Sequence, residues 1–379
     1  MVNPCVKSRC NNLLYLKKMG KRVLIAMSGG IDSSVAAMLL LEQGYELVGV
    51  TFRTFDQITE SCLAREKGCC SVDAIFEAKH LAEKLGFEHH ILDVRDLFKR
   101  TVIQDFIDQY MQCRTPNPCV LCNPIIKWGR VLEMADELGC DYIATGHYAR
   151  IAQSGDRYFL QKGVDTQKDQ TYFLWKLTSE MLQRTLFPLG GLTKNEVRQI
   201  AADHGFVKLS QKKESEEICF VTDDDYRHFL QDEVPDLQER MPVGDFVTTD
   251  GKVVGKHQGL YNYTVGQRKG LGIALGEPAY VVALQPDKNH VVLGKREDLQ
   301  HVRCVVSDLN MTKYAEFEDR MKVICRSRYR SAGTPATLRH LNDTSVEVLF
   351  EEPVFAVTPG QSAVFYEGDD LVGGGIIES

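Results

Sequence analysis

Two short stretches of this chain combine residue types that do chemistry. The first is Ala26-Met-Ser-Gly-Gly-Ile-Asp-Ser-Ser34. Its two glycines let a backbone turn approach a ligand closely, and its serines offer hydroxyls. A helix starting immediately afterwards adds outward-pointing amides and a partial positive charge. Such a turn is an anion cradle suited to a pyrophosphate, with Asp32 available to Mg²⁺. It is not a Walker loop, because no Gly-Lys-Ser/Thr follows at the required spacing. The second stretch is Cys119-Val-Leu-Cys122. No secretion signal is evident, so the expected compartment is the cytoplasm, where thiols stay reduced. There, a Cys-x-x-Cys pair points to redox chemistry or a metal rather than packing.

The elements that must hold these stretches are legible from periodicity. Val23–Met27 is an apolar run leading into the glycine turn, and 34–43 follows as a helix. Further strands are expected at 46–52, 89–94 and 142–148, with helices at 73–85, 97–111 and 125–138. Strands alternating with helices predict a doubly wound parallel sheet, whose ligand sits beyond the carboxyl ends of its strands. Residues 171–204 read as helical, with Thr193-Lys-Asn-Glu196 as a capping box. From Val243 onward, Gly, Pro and Asp turns separate short β-branched runs, the pattern of small β-barrels or sandwiches. The expected division is an N-terminal extension at 1–20, an α/β catalytic domain at 21–222, a central β-rich domain at 223–295 and a C-terminal β-barrel domain at 296–379.

The 379 residues carry a net charge of −7, which argues against binding nucleic acid with the whole surface but leaves room for a local basic patch. Arg320, Lys322, Arg326, Arg328 and Arg330 fall within eleven residues that contain no acid, with Tyr329 between two of the arginines. Basic groups neutralise phosphates and an aromatic ring stacks on an unpaired base, so this segment is a candidate RNA contact. Period-two alternation places Arg326, Arg328 and Arg330 on one face of a strand. No apolar run is long enough for a spanning helix.

The loop Ser-Gly-Gly-Ile-Asp-Ser resembles the PP-loop of enzymes that cleave ATP between its α- and β-phosphates. Further matches follow in order along the chain. They are Thr115-Pro-Asn-Pro-Cys-Val-Leu-Cys-Asn123, Ala144-Thr-Gly-His-Tyr148, Lys168-Asp-Gln170, Gly266-Gln-Arg-Lys-Gly-Leu-Gly272 and Thr358-Pro-Gly-Gln361. Together they resemble the tRNA-specific 2-thiouridylases. That resemblance implies ATP-dependent 2-thiolation of the wobble uridine of tRNA, releasing AMP and pyrophosphate, with sulfur from a cysteine desulfurase or a persulfide carrier. It implies that Ala26, Met27, Ser28, Gly29, Gly30, Ile31, Asp32, Ser33, Phe52 and Gly146 hold ATP. Contacts to tRNA are implied for Asn117, Pro118, Cys119, His147, Lys168, Asp169, Gln170, Arg328, Tyr329 and Gln361.

The resemblance also adds Cys219 as a second catalytic cysteine beside Cys122, with Asp32 serving the ATP chemistry. In the common form of the family Cys122 is the nucleophile, Cys219 carries the persulfide, and the two can pair as a disulfide. The chain departs from that form at Cys119, where aspartate is usual. Three thiolates, Cys119, Cys122 and Cys219, could instead hold three irons of a [4Fe–4S] cluster and leave the fourth open to sulfide. Both routes stand at this point. Cys140, Cys304 and Cys325 are expected to be buried thiols, Cys5 and Cys10 fall in the extension, and Cys113 is a spare thiol. A zinc site at Cys62, Cys69 and Cys70 lacks a second pair at a suitable distance. Two other functions compete: a small-molecule PP-loop ligase, which leaves the Cys-x-x-Cys unused, and a non-catalytic RNA-binding module.

Overall fold

The computed structural model describes residues 20–55, 72–211, 218–221, 225–273, 276–316, 318–342 and 344–379. The expected extension and the loop with Cys62, Cys69 and Cys70 lie outside these residues. By compactness the chain forms two units. The first holds the described residues up to Lys99, 120–221 and Asp369–Leu371. The second holds Arg100–Cys119, the described residues from 225 to Gly368, and Val372–Ser379.

In the first unit, β1 (Arg22–Ala26) lies between two parallel neighbours, β2 (Glu46–Arg53) and β4 (Tyr142–Ala144); β3 (Glu88–Asp93) flanks β2. A hairpin of β5 (Ala149–Ser154) and β6 (Arg157–Lys162) follows, and β7 (Thr185–Leu186) pairs with β4, completing the order β3-β2-β1-β4-β7. Val23, Leu24 and Ile25 are completely buried, as expected of an apolar run covered on both sheet faces. Each contributes about 1.5–3 kcal/mol by leaving water.

Helix α1 (Ile31–Glu42) packs Val35, Ala36 and Met38 into the core that contains Val23 and Ile25. α2 (Val72–Leu85) adds Ala78 and Ala82 to that core. The parallel, helix-covered sheet matches the expected fold class.

Three departures from the periodicity reading matter. The helix expected over 125–138 begins earlier, with α3 (Pro118–Cys122), and runs through a π-helical stretch, Asn123–Arg130, before returning to α geometry at Val131–Glu137. Proline is well suited to a first helical turn, so Pro118 marks the start, and Pro124 has no amide to give to the regular ladder. The expected long helical region 171–204 reduces to short turns and a helix α4 (Lys194–Asp203), which does carry the capping box of Thr193 and Glu196. The β5–β6 hairpin escaped the periodicity reading because its polar edge residues mask its alternation.

The second unit contains a four-stranded sheet of β8 (Gly244–Thr248), β9 (Val253–His257), β10 (Tyr280–Gln285) and β11 (His290–Gly294), in the order β10-β11-β8-β9. It also contains six antiparallel strands, the last from Val372 onward: β12 (Gln300–Met311), β13 (Met321–Arg326), β14 (Thr334–Asn342), β15 (Ser345–Phe355), β16 (Ser362–Glu367) and β17 (Asp370–Ile377). Pairing of Val306 with Ile377 and of Met311 with Gly373 joins β12 to β17 and closes a barrel. Val306, Leu338, Val348, Phe365 and Val372 fill its interior. The β-rich architecture expected beyond Val243 is present.

Candidate active site

The turn after β1 is built around close approaches. Gly29 has φ +68°, and a Cβ there would lie 2.6 Å from the Ala74 carbonyl oxygen, so only glycine fits. Gly30 is the N-cap of α1 in an extended conformation, and no side chain caps the helix. The first amides of α1 are thus without a side-chain acceptor and are placed to receive an anion. Ser33 Oγ accepts from Ser28 N at 3.2 Å, and Ser34 Oγ donates to Gly30 O at 2.8 Å, fixing the turn from within. Met27 and Ile31 are buried, so neither offers a ligand its side chain. Met27 is pinned at both ends: its amide donates to Val50 O, and its carbonyl accepts from Thr51 Oγ1, each at 2.8 Å. Phe52 is half-buried two residues beyond Val50, the residue opposite Ala26.

Gly146 rests on the start of α1; a Cβ there would come within 2.7 Å of Asp32 C and Ser33 N. The next two residues frame the site. The His147 imidazole has its ring 5.7 Å from Trp128 and 6.3 Å from Phe187. Burial, with Lys127 adding to it, pushes its pKa down to about 3. His147 is therefore a neutral imidazole, 2.8 Å from Thr145 Oγ1 through Nδ1, and brings no charge to a phosphate.

Tyr148 Oη donates to Asp32 Oδ1 at 2.8 Å, and Lys194 Nζ lies 2.8 Å from both Asp32 oxygens. Neither Tyr148 nor Lys194 was singled out by the motif reading. The capping box predicted where α4 starts, and a lysine in a helix's first turn runs against the helix dipole. That conflict was the available signal that Lys194 has an anionic partner.

The cysteines separate by burial. In one turn of α3, Cys119 is exposed and Cys122 is buried; Cys219 is half-buried. Asn123, next to Cys122, donates through Nδ2 to Phe173 O at 2.8 Å, and Trp128 Nε1 donates to Thr185 Oγ1 at 2.8 Å. These bonds fix the π-helical continuation of the cysteine helix beside Gly146 and His147. Phe220, completely buried, meets Phe98 edge-on at 5.7 Å and anchors the segment that carries Cys219. Among the described residues no group of three or more His, Cys, Asp or Glu is placed to hold a metal ion. Cys122 and Cys219 lie in the first unit and Cys119 in the second. As expected, Cys140, Cys304 and Cys325 are buried, and burial raises all three thiol pKa values, that of Cys304 to about 12.

Several residues expected to touch tRNA have other work in the fold. Asp169 is 3 % exposed and accepts from Thr171 Oγ1 at 2.9 Å on both oxygens and from Gly163 N at 3.3 Å. It shapes the turn that presents Lys168 rather than meeting solvent itself. Gln170 Oε1 accepts from Tyr148 N at 2.9 Å. Lys168 lines a polar cavity of about 300 Å³ together with Asp165, Gln167, Lys194, Asn195 and Arg198.

In the second unit, β13 ends at Arg326, so Arg328 and Arg330 do not continue a strand face. Arg328 turns inward and donates to Ala356 O at 2.8 Å and Thr358 Oγ1 at 2.9 Å. Tyr329 is half-buried, with its carbonyl accepting from Arg326. Asn117 is half-buried and Pro118 buried.

A parallel sheet whose first strand ends in an uncapped glycine turn, with Asp32 held at the helix start, defines a nucleotide-binding domain of the PP-loop class. Family models match most of the chain in three blocks. Residues 21–223 match the tRNA methyl transferase HUP domain, 227–295 the tRNA methyl transferase PRC-barrel domain, and 301–377 the aminomethyltransferase beta-barrel domain. The chain is 52 % identical over 359 residues to the tRNA-specific 2-thiouridylase MnmA of Amoebophilus asiaticus, covering 94 % of this chain and 95 % of that one. It is 50 % identical to the protein of the same name from Cytophaga hutchinsonii, with 94 % and 97 % covered. Against that from Carboxydothermus hydrogenoformans the identity is 48 %, with 94 % and 98 % covered. The chain belongs to the tRNA-specific 2-thiouridylase family.

Proposed function

We propose that the protein performs ATP-dependent 2-thiolation of the wobble uridine in tRNA, using the turn after β1 for the nucleotide and Cys122 and Cys219 for the sulfur. The observation that carries the reading is the uncapped start of α1 beside Asp32, on the same compact unit as both cysteines. Membership of the family sets aside the small-molecule ligase and the pure RNA binder, since neither has a task for the cysteine pair.

Uridine O2 is a poor leaving group. Attack of O2 on the α-phosphorus of ATP makes a C2–O–AMP bond and expels pyrophosphate. The α1 amides and Ser28 receive the departing anion and stabilise charge as it develops. Asp32, the acid at the cradle, would hold Mg²⁺, which neutralises pyrophosphate charge when bound. The terminal sulfur of a Cys219 persulfide then attacks C2, and AMP leaves. Cys122 thiolate attacks the Cys219 sulfur, freeing the thiouridine and forming a Cys122–Cys219 disulfide, which an external thiol reduces. No step is routed through an iron–sulfur cluster. A wobble base is stacked in its loop, so it must be flipped out to be reached.

Lys168 and the polar cavity beside it supply a docking point for backbone phosphate. The persulfide comes from a cysteine desulfurase or a carrier that it charges, and the reaction belongs in the cytoplasm. No helix among the described residues is long and apolar enough to cross a membrane. We take 21–222 as the catalytic domain, 223–295 as the central domain and 296–379 as the C-terminal barrel domain.

The experiment is reconstitution: protein, ATP, Mg²⁺, a charged persulfide donor and unmodified tRNA. Thiouridine measured by mass spectrometry should appear with one AMP and one pyrophosphate per sulfur. Pyrophosphate release that proceeds equally without tRNA would overturn the reading.

A further inference from the structure

Lys194 stands outside every motif that pointed to the site, yet its ammonium lies against the Asp32 carboxylate, 2.8 Å from each oxygen. Its side chain is 8 % exposed, against 31 % for Asp32. A buried ammonium is costly unless it is paired. The fold fixes this pairing from several sides. The Thr193–Glu196 capping box sets the start of α4, and Lys194 N donates to Asp165 Oδ2 at 2.9 Å. Val197 and Ala201 seat α4 in the same core as Val35 of α1. Tyr148 contributes its hydroxyl to Asp32 Oδ1 and its ring to Lys194, whose Nζ lies 5.7 Å from the ring centroid.

We propose that Lys194 is a positioning residue that holds the Asp32 carboxylate in place of a divalent cation and releases it when nucleotide arrives. Both carboxylate oxygens face one ammonium, so a metal ion that takes up both oxygens displaces it. A displaced, buried ammonium needs a new anion. A nucleotide phosphate in the adjacent cradle is such an anion, and charge-assisted bonds to phosphate are strong. The exchange moves no proton: one cation leaves the carboxylate, one takes its place, and the ammonium pairs with phosphate. Lys194 thereby makes metal binding conditional on nucleotide. This inference rests on the reading of the α1 turn as the ATP site.

The test measures Mn²⁺ binding to the full chain by electron paramagnetic resonance, with no nucleotide and with a non-hydrolysable ATP analogue. Without nucleotide, Lys194→Met should bind Mn²⁺ about tenfold more tightly than the unaltered protein, while its affinity for the analogue falls about tenfold. Lys194→Arg should do the reverse for the metal. Its bidentate guanidinium grips the carboxylate harder, so it should raise the Mg²⁺ concentration for half-maximal pyrophosphate release severalfold. A residue needed only for folding would weaken both ligands together. Unchanged or weaker Mn²⁺ binding by Lys194→Met overturns the proposal. If that variant fails to unfold cooperatively, Lys194→Arg decides, and an unchanged Mg²⁺ requirement there overturns it equally. Asp32→Asn separates the two levels: if it leaves Mn²⁺ and analogue binding intact, the ATP-site reading itself has failed.

Discussion

Gln361 Nε2 donates to the Thr115 main-chain carbonyl at 2.9 Å. Thr115 N in turn donates to Pro359 O at 2.9 Å, and Arg114 is salt-bridged to Glu378 at 2.5 Å. A residue that the motif comparison gave to tRNA thus holds the loop that runs into Pro118 and Cys119. Gln361→Ala should speed amide exchange at Thr115 and cut thiolation about tenfold, while tRNA affinity changes less than about threefold. An equal loss in affinity and turnover would return Gln361 to the role of a simple tRNA contact.

Cys122→Ser should abolish thiouridine formation, by at least about 10³-fold, yet preserve tRNA-dependent pyrophosphate release, because activation of uridine precedes sulfur transfer. Quantifying thiouridine and pyrophosphate in one single-turnover reaction checks both halves. Loss of pyrophosphate release with the thiol would place Cys122 in the ATP step instead.

The disulfide route gives a prediction for Cys119. Anaerobically purified protein should contain far less than one iron per chain, and Cys119→Asp should keep activity within about tenfold. Iron at about four per chain, with activity lost in the variant, would restore the cluster.

Gly146 offers a steric test. In Gly146→Ala the new methyl group meets the Asp32 and Ser33 main chain at 2.7 Å, and overpacking of this kind costs about 1–3 kcal/mol. Relief by shifting the 145–147 loop would pull it from the cradle. ATP-analogue affinity by calorimetry should therefore fall about tenfold or more, with a lower Tm.

His147 sets a pH dependence. Its folded pKa of about 3 lies below the ordinary 6.5, so between these values the unfolded chain binds a proton that the folded chain refuses. Stability should therefore rise with pH across that window and fall as pH drops below 6.5, by no more than about 5 kcal/mol at its lower end. Denaturant titrations at successive pH values should show this slope, and His147→Gln should flatten it.

Much of this site was readable from residue order. Val23–Ile25 and the glycines after them form a local unit, so strand, turn and helix follow from neighbours in sequence. The barrel strands were legible in the same way from β-branched runs between turns. Lys194 and Asp32 are far apart along the chain and meet only because α1 and α4 share a core, which no periodicity displays. The burial of Asp169 and the inward turn of Arg328 were hidden for a related reason. A charged residue in a motif looks the same whether it faces solvent or satisfies a neighbouring backbone.

The bare first turn of α1 has a consequence for how the chain is completed. Most helices carry their own stopper, a serine, threonine or aspartate whose oxygen closes the opening amides. Here Gly30 leaves that place vacant, and an incoming phosphate is the oxygen donor that fits it. The substrate thereby finishes a piece of secondary structure, and the same amides that recognise it are the ones it seals.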